Sequence, residues 1–110
     1  MIRFTTPTLT VSVAGADLTN CKVWLSFEQR VPYTNLLITE FDVEVISPVT
    51  IVDNTSYFDV TLTQEQSSSF RTGSVIVQVN WMTSDGVRKA TPIGVVAVEE
   101  NIYGEVLTYE

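Results

Sequence analysis

Apolar and polar residues alternate with a period of two along most of this chain. That period predicts β-strands, because successive side chains of a strand point to opposite faces. In residues 8–13, Leu9, Val11 and Val13 are predicted to face inward. In residues 21–27 the odd-numbered side chains are predicted to share the core face, with Trp24 on the polar face. Residues 36–46 predict either one long bent strand or two short ones.

The stretch 57–81 predicts a strand, a short helix and a second strand. Thr63 ends the first alternating segment, and Gln66 follows three residues later, which is the spacing of a capping box. The helix is predicted over residues 64–70, and Gly73 offers an easy exit from it. A short capped helix between two strands is what a chain needs to cross from one sheet of a sandwich to the other.

Turn residues separate the remaining strands. Asp85-Gly86 predicts a tight hairpin, with a type I′ turn or, in a longer loop, a turn with a G1 bulge. Pro92 and Gly94 are predicted to bend or bulge the strand that follows. The sequence also predicts a short edge strand over 2–5 and a turn at 53–54. The tail at 98–110 is predicted to be either an extra strand or an exposed arm.

These elements predict an all-β fold: an immunoglobulin-like antiparallel β-sandwich of seven or eight strands with one short helical turn. Seven or eight short strands with turns between them are typical of that architecture. The 110 residues contain no internal repeat and no linker, so a single domain over 1–110 is predicted.

Composition narrows the classes of function. The net charge of −7 disfavours nucleic acid and anionic membranes as partners. It is explained either by solubility or by docking to a basic surface. The chain has no histidine, the usual general base and metal ligand, so no catalytic residue, metal or cofactor is expected. Neither a signal peptide nor a spanning apolar run is recognised, so a soluble protein is expected.

Three aromatic residues are the candidate interface residues: Trp24, Tyr103 and Tyr109. Trp24 is predicted either to anchor a partner or a sugar, or to pack under a loop or against the tail. Trp81 shares a face with three valines and is predicted to lie in the core. Cys21, the single cysteine, is predicted to be a buried and inert thiol.

Four phrases of the sequence resemble a known family: ADLTNCKVWLSF, DVTLTQEQ, GSVIVQVNWMTSDGVR and VEENIYGEVL. Together they are similar to small tail or baseplate proteins of bacteriophages and prophages of Gram-positive bacteria, in particular the N-terminal domain of the baseplate upper protein. LTQEQ before a valine-rich strand is the most specific phrase. The resemblance implies a structural and attachment module of the virion, assembled in the bacterial host cytoplasm. Family members carry long C-terminal extensions, and with its end at Glu110 the chain is expected to be a small accessory virion protein.

The expected function is therefore structural and not enzymatic. The expected partners are other virion proteins, with a homo-oligomer as a further expectation. The alternative is a carbohydrate-binding module that aids host attachment. A small hydrolase would need a cleft with two carboxylates about 5 to 10 Å apart.

Overall fold

The strands form two antiparallel sheets that pack face to face, so the predicted all-β sandwich with one short helix is confirmed. The computed structural model describes residues 1–109. Over that range the elements are β1 (Thr8–Ala14), β2 (Lys22–Arg30), β3 (Leu37–Glu44), β4 (Thr50–Val52), β5 (Thr55–Thr61), α1 (Gln64–Ser68), β6 (Gly73–Met82), β7 (Arg88–Ala90) and β8 (Gly94–Val98). The small sheet has the order β1-β5-β4. The large sheet has the order β3-β2-β6-β7, and β8 also pairs with β6.

The core lies between the inward faces of the two sheets. Because strand side chains alternate, β2 buries every second residue, and β5 does the same from the opposite sheet. Strand β6 follows the same alternation, with Val75, Val79 and Trp81 buried and Val77 half-buried. Trp81 is only 8% exposed, which confirms its predicted core position. Three aromatic rings pack against one another, with centroids 5.0 to 5.8 Å apart: Phe27, Phe41 and Phe70. Full burial of one such side chain contributes about 1.5–3 kcal/mol.

The helix α1 carries the chain from the small sheet to the large one, as the sequence predicts. Thr63 accepts a hydrogen bond from the Gln66 backbone N–H, and the Gln66 side chain accepts one from the Thr63 N–H. Both halves of the predicted capping box are therefore present. The helix ends at Ser68, two residues before the predicted end, because Phe70 is fully buried and draws the chain into the core.

Two tight turns follow directly from residue chemistry. Asp53 and Asn54 both have positive φ, 51° and 59°, which is the type I′ geometry that joins β4 to β5. In the β6–β7 hairpin, Gly86 has a φ of 84° and donates to the Thr83 carbonyl. Only Gly86 of that loop has positive φ, so the G1-bulge alternative is the correct one for the Asp85-Gly86 hairpin.

Strands β7 and β8 lie along the same neighbour, β6, on either side of a bulge. Thr91 donates its N–H to the Val79 carbonyl, and Gly94 lies opposite Val77. Residues 92 and 93 therefore both stand against residue 78, the two-against-one count of a β-bulge. The prediction that Pro92 and Gly94 bend or bulge this strand is confirmed.

The structure corrects or decides three of the predictions made from the sequence. In place of an edge strand over 2–5, Ile2 forms one isolated parallel bridge with Glu99. Residues 36–46 contain a single strand, β3, so the alternative of two short strands is wrong. Strand β2 begins at Lys22, so Cys21 lies just outside it and is half-buried where a buried thiol was predicted.

The tail adopts the second of its two predicted forms, an arm. No strand is assigned over residues 99–109, and residues 102–109 are exposed. Apart from the residue 99 bridge, hydrogen bonds from side chains, described below, hold this arm to the body.

Candidate functional site

A recess on the outer face of the large sheet contains the candidate residue Trp24. Leu25 and Phe27 face the core, so Trp24 and Ser26 must face outward. Trp24 lies opposite Glu44 on one side and Asn80 on the other. The recess has a volume of about 250 Å³ and is lined by Trp24, Ser26, Asp42, Asn80, Trp81, Met82 and Arg88. Trp24 is half-buried among residues of neighbouring strands, and this lining includes neither the tail nor a loop.

Polar side chains around Trp24 are partly fixed by hydrogen bonds. The Ser26 hydroxyl donates to an Asp42 carboxylate oxygen over 2.6 Å. The Arg88 guanidinium donates to the Asn80 side-chain oxygen over 3.2 Å. An aromatic side chain flanked by such donors and acceptors is a combination that binds amphipathic, hydroxyl-rich molecules.

An acidic stripe lies beside this recess on β3. Glu40, Asp42 and Glu44 share the outer face of the strand, and Glu28 on β2 lies opposite Glu40. Glu28 accepts a hydrogen bond from Arg30 over 2.8 Å, so one of these charges has a basic partner. Like charges that face each other across strands destabilise the pair. The stripe is therefore suited to contact with cations or to keeping other strands away.

The arm, residues 99–109, is fixed to the body near its start. Arg3 donates to both carboxylate oxygens of Glu100, over 2.9 and 3.0 Å, and Asn101 donates its side-chain N–H to the Arg3 carbonyl. The Asn101 backbone N–H, and after it Arg3, lower the pKa of the Glu100 carboxyl below its ordinary value. The positively charged N-terminus of Met1 also donates to the Ala97 carbonyl.

A second attachment fixes the arm further along the chain. The Gln64 side chain donates to the Leu107 carbonyl over 2.8 Å and accepts from the Leu107 N–H over 2.7 Å. This reproduces both hydrogen bonds of a strand pairing with a single side chain. Sequence reasoning missed it, because no local pattern links two residues 43 positions apart.

The arm presents its apolar side chains outward even though its backbone is attached. Ile102 and Tyr109 are fully exposed, and Tyr103 is 57% exposed. Two of the three candidate interface residues, Tyr103 and Tyr109, are therefore both exposed on the arm. Trp24 lies on the outer face of the large sheet, in a recess whose lining includes neither tyrosine.

Within residues 1–109, no group of three or more histidine, cysteine, aspartate or glutamate side chains is placed to hold a metal ion. Over the same residues, no helix has the length and apolar character needed to cross a membrane.

Comparison of the chain with protein-family models, curated proteins and solved structures found no match in any of the three. What the protein does is therefore inferred from its own surfaces and from the phrases of its sequence.

Proposed function

We propose that this protein is a non-enzymatic structural component of a bacteriophage tail or baseplate and that it acts through subunit–subunit contacts. The observation that carries the proposal is the arm, which is hydrogen-bonded to the body at Glu100 and Leu107 while Ile102 and Tyr109 point into solvent. Exposed aromatic and aliphatic side chains on a held segment suit a protein interface.

The virion enters the proposal through the sequence phrases that resemble phage tail and baseplate proteins. The DVTLTQEQ phrase spans the end of β5 and the start of α1, and GSVIVQVNWMTSDGVR spans β6 and its hairpin. The phrases that resemble phage baseplate proteins thus include the crossover between the two sheets. The partners under this proposal are other virion proteins and further copies of this chain.

Particle labelling tests the proposal. An antibody against this chain is expected to label the tail region of particles purified from the bacterial lysate in which the chain is made. The double variant Ile102→Ser, Tyr109→Ser is expected to fold but to enter particles less well, since it removes apolar side chains that the body does not bury. Tyr33→Ser is the matched control, because Tyr33 is equally exposed but lies in the β2–β3 loop. Particles without label would contradict the proposal.

A second candidate function, carbohydrate binding that aids host attachment, is favoured by the Trp24 recess. It places an aromatic side chain beside the polar groups of Asp42, Asn80 and Arg88. A glycan array is expected to give signals that Trp24→Ala abolishes and Tyr33→Ala retains. An array without signal for the wild-type chain would remove this candidate.

A further inference from the structure

The two sheets have four free edges, and three of them carry features that prevent pairing with another strand. Strand β4 has only three residues. Strand β3 carries Glu40, Asp42 and Glu44. The β7–β8 edge is interrupted by the bulge at Pro92, and residues 1–3 bond to the far end of β8. Short edges, charges, proline and bulges are the usual means by which proteins block edge pairing.

The fourth edge, β1, has none of these features. Its sequence from Thr8 to Ala14 is TLTVSVA, without a charged residue or a proline. Its register with β5 runs unbroken from Thr8 opposite Thr61 to Ala14 opposite Thr55, so no bulge twists it. A regular, uncharged edge of this length is a template for another strand.

The backbone groups that β1 offers can be identified from the bonds at its two ends. Gly15 donates to the Asn54 carbonyl, and Leu62 donates to the Pro7 carbonyl. In the register with β5, Gly15 is directly opposite Asn54, and Pro7 is directly opposite Leu62. Bonded and non-bonded pairs alternate along an antiparallel ladder, so the odd-numbered residues of β1 bond to β5. The N–H and C=O groups of Thr8, Thr10, Ser12 and Ala14 therefore point away from β5. Among residues 1–109, none of these groups has a hydrogen-bond partner.

The inward side chains of β1 are also incompletely covered. Leu9 and Val11 are only half-buried, although they pack against the core. They line a groove of about 460 Å³ between β1 and the segment from Thr91 to Val96. No charged residue lines this groove. A strand added to β1 would therefore gain backbone hydrogen bonds and also bury apolar surface.

We propose that β1 pairs antiparallel with β1 of a second copy across a two-fold axis, which joins two small sheets into one continuous sheet. This deepens the structural role proposed above, and its place in an assembly rests on that role. In the register that uses every free group, Thr8 lies opposite Ala14 of the other copy, Thr10 opposite Ser12, and Val11 opposite Val11.

Charge decides which edges of two copies can meet. Each copy carries −7, so two copies repel at long range, and a contact between them is favoured only where it adds no further like charges across the interface. Pairing β3 with itself about Asp42 would set Asp42 against Asp42 and Glu40 against Glu44, which is destabilising. Pairing β1 with itself brings together only threonine, serine, alanine, leucine and valine. An isologous contact of this kind is the commonest symmetry of soluble oligomers.

Sedimentation velocity of the full chain tests the proposal, with Ser12→Pro as the key variant. Proline removes the free N–H of Ser12 without touching a bond to β5, and edge strands tolerate it. Glu40→Pro is the matched control, since the Glu40 N–H points off the free edge of β3. Wild type and Glu40→Pro are expected to dimerise, and Ser12→Pro to dimerise at least tenfold more weakly with an unchanged far-ultraviolet spectrum.

A second pair of variants keeps the test decisive if Ser12→Pro does not fold. Thr10→Lys and Ser12→Glu are each expected to dimerise more weakly than wild type. Mixed together they are expected to form a heterodimer, because the lysine introduced in one copy would face the glutamate introduced in the other.

Any of three results would overturn the inference. The first is a wild type that stays monomeric up to about 1 mM, and the second is a dimer lost only in Glu40→Pro. The third is a dimer lost only on deletion of residues 105–110, which would indicate that two copies exchange their arms. Unlabelled particles from a chain that dimerises in solution would refute the virion role alone. Labelled particles from a monomeric chain would refute the β1 contact alone.

Discussion

Strands β1 and β3 are the long free edges of the two sheets, and they differ in the charge of their solvent-exposed side chains. Along β1, and along β3 beyond the register shift at residue 38, side chains alternate and the even-numbered residues direct their backbone groups outward. On β3 those residues are Glu40, Asp42 and Glu44, whereas on β1 they are threonine, serine and alanine. The same backbone geometry is thus protected by charge at one edge and left open at the other. In an acidic protein, an open edge without charge marks the place where a second copy can approach.

The two edge strands also differ in how firmly the core holds them, and this gives the largest expected effect. Phe41 on β3 packs on Phe27 at 5.0 Å and on Phe70 at 5.4 Å. Phe41→Ala is expected to lower the free energy of unfolding by about 3 kcal/mol, the low end for a core phenylalanine because Phe41 is only partly buried. Urea denaturation checks this, with the more exposed Leu37→Ala as control. Equal losses in the two variants would show that the contacts of Phe41 with Phe27 and Phe70 do not anchor β3.

The segment that follows strand β1 is held by a buried hydroxyl on the neighbouring strand β5. Ser56 accepts from the Leu18 N–H and donates to the Ala16 carbonyl, and it is completely buried. Ser56→Ala leaves both backbone groups without that partner, so a loss of about 1–3 kcal/mol is expected in urea denaturation. Ser12→Ala, an exposed serine on β1 without a side-chain hydrogen bond, is expected to change the free energy of unfolding by less than about 0.5 kcal/mol. A loss for Ser56→Ala as small as that of Ser12→Ala would contradict this account.

Removal of the charges from β3 should make the two edges alike. The triple variant Glu40→Thr, Asp42→Thr, Glu44→Thr leaves β3 as uncharged as β1. We expect it to form species larger than a dimer at concentrations where wild type does not, with an association constant at that edge raised about tenfold or about 1.4 kcal/mol. Light scattering after size-exclusion chromatography checks this. A triple variant with the assembly state of wild type would show that acidic residues do not protect the β3 edge.

The smallest expected effect concerns the covered end of the β8 edge, where Arg3 and Glu100 hold the N-terminus in place. The pKa of Glu100 is lowered in the folded state, so this contact is present above the ordinary carboxyl pKa and is lost as pH falls through the lowered value. The Asn101 amide resonance is expected to shift over that acidic window. The shift is expected to disappear in Glu100→Gln. An Asn101 resonance that moves equally in that variant would assign the titration to another group.

Much of the fold follows from local sequence, and the features that the sequence alone does not reveal are long-range. Alternation predicts the inward faces of the strands, and the Thr63–Gln66 spacing predicts the capped helix, because both depend on residues close together in the chain. The strand order does not follow in the same way, and neither does the open edge at β1. The alternating sequence pattern of a strand is the same whether the strand pairs with one neighbouring strand or with two. The Gln64–Leu107 attachment is hidden for the same reason.

For the candidate functional residues, too, local sequence predicts some features and long-range contacts determine the others. Trp24 could be placed on an outward face by counting along β2, but its recess includes Asn80 and Arg88 from β6 and β7. Tyr103 and Tyr109 could be placed on a tail, but whether that tail was a strand or an arm depended on contacts with Arg3 and Gln64.

Hydrogen exchange at single amides is the most direct measurement of the difference between the two edges. The Thr10 and Ser12 amides point off the free edge of β1, the Val11 amide bonds to β5, and the Asp42 amide points off β3. As protein concentration rises, exchange at Thr10 and Ser12 should slow markedly, while Val11 stays protected and Asp42 stays fast. Fast exchange at Thr10 and Ser12 at every concentration, or protection that appears at Asp42 instead, would contradict the β1 contact.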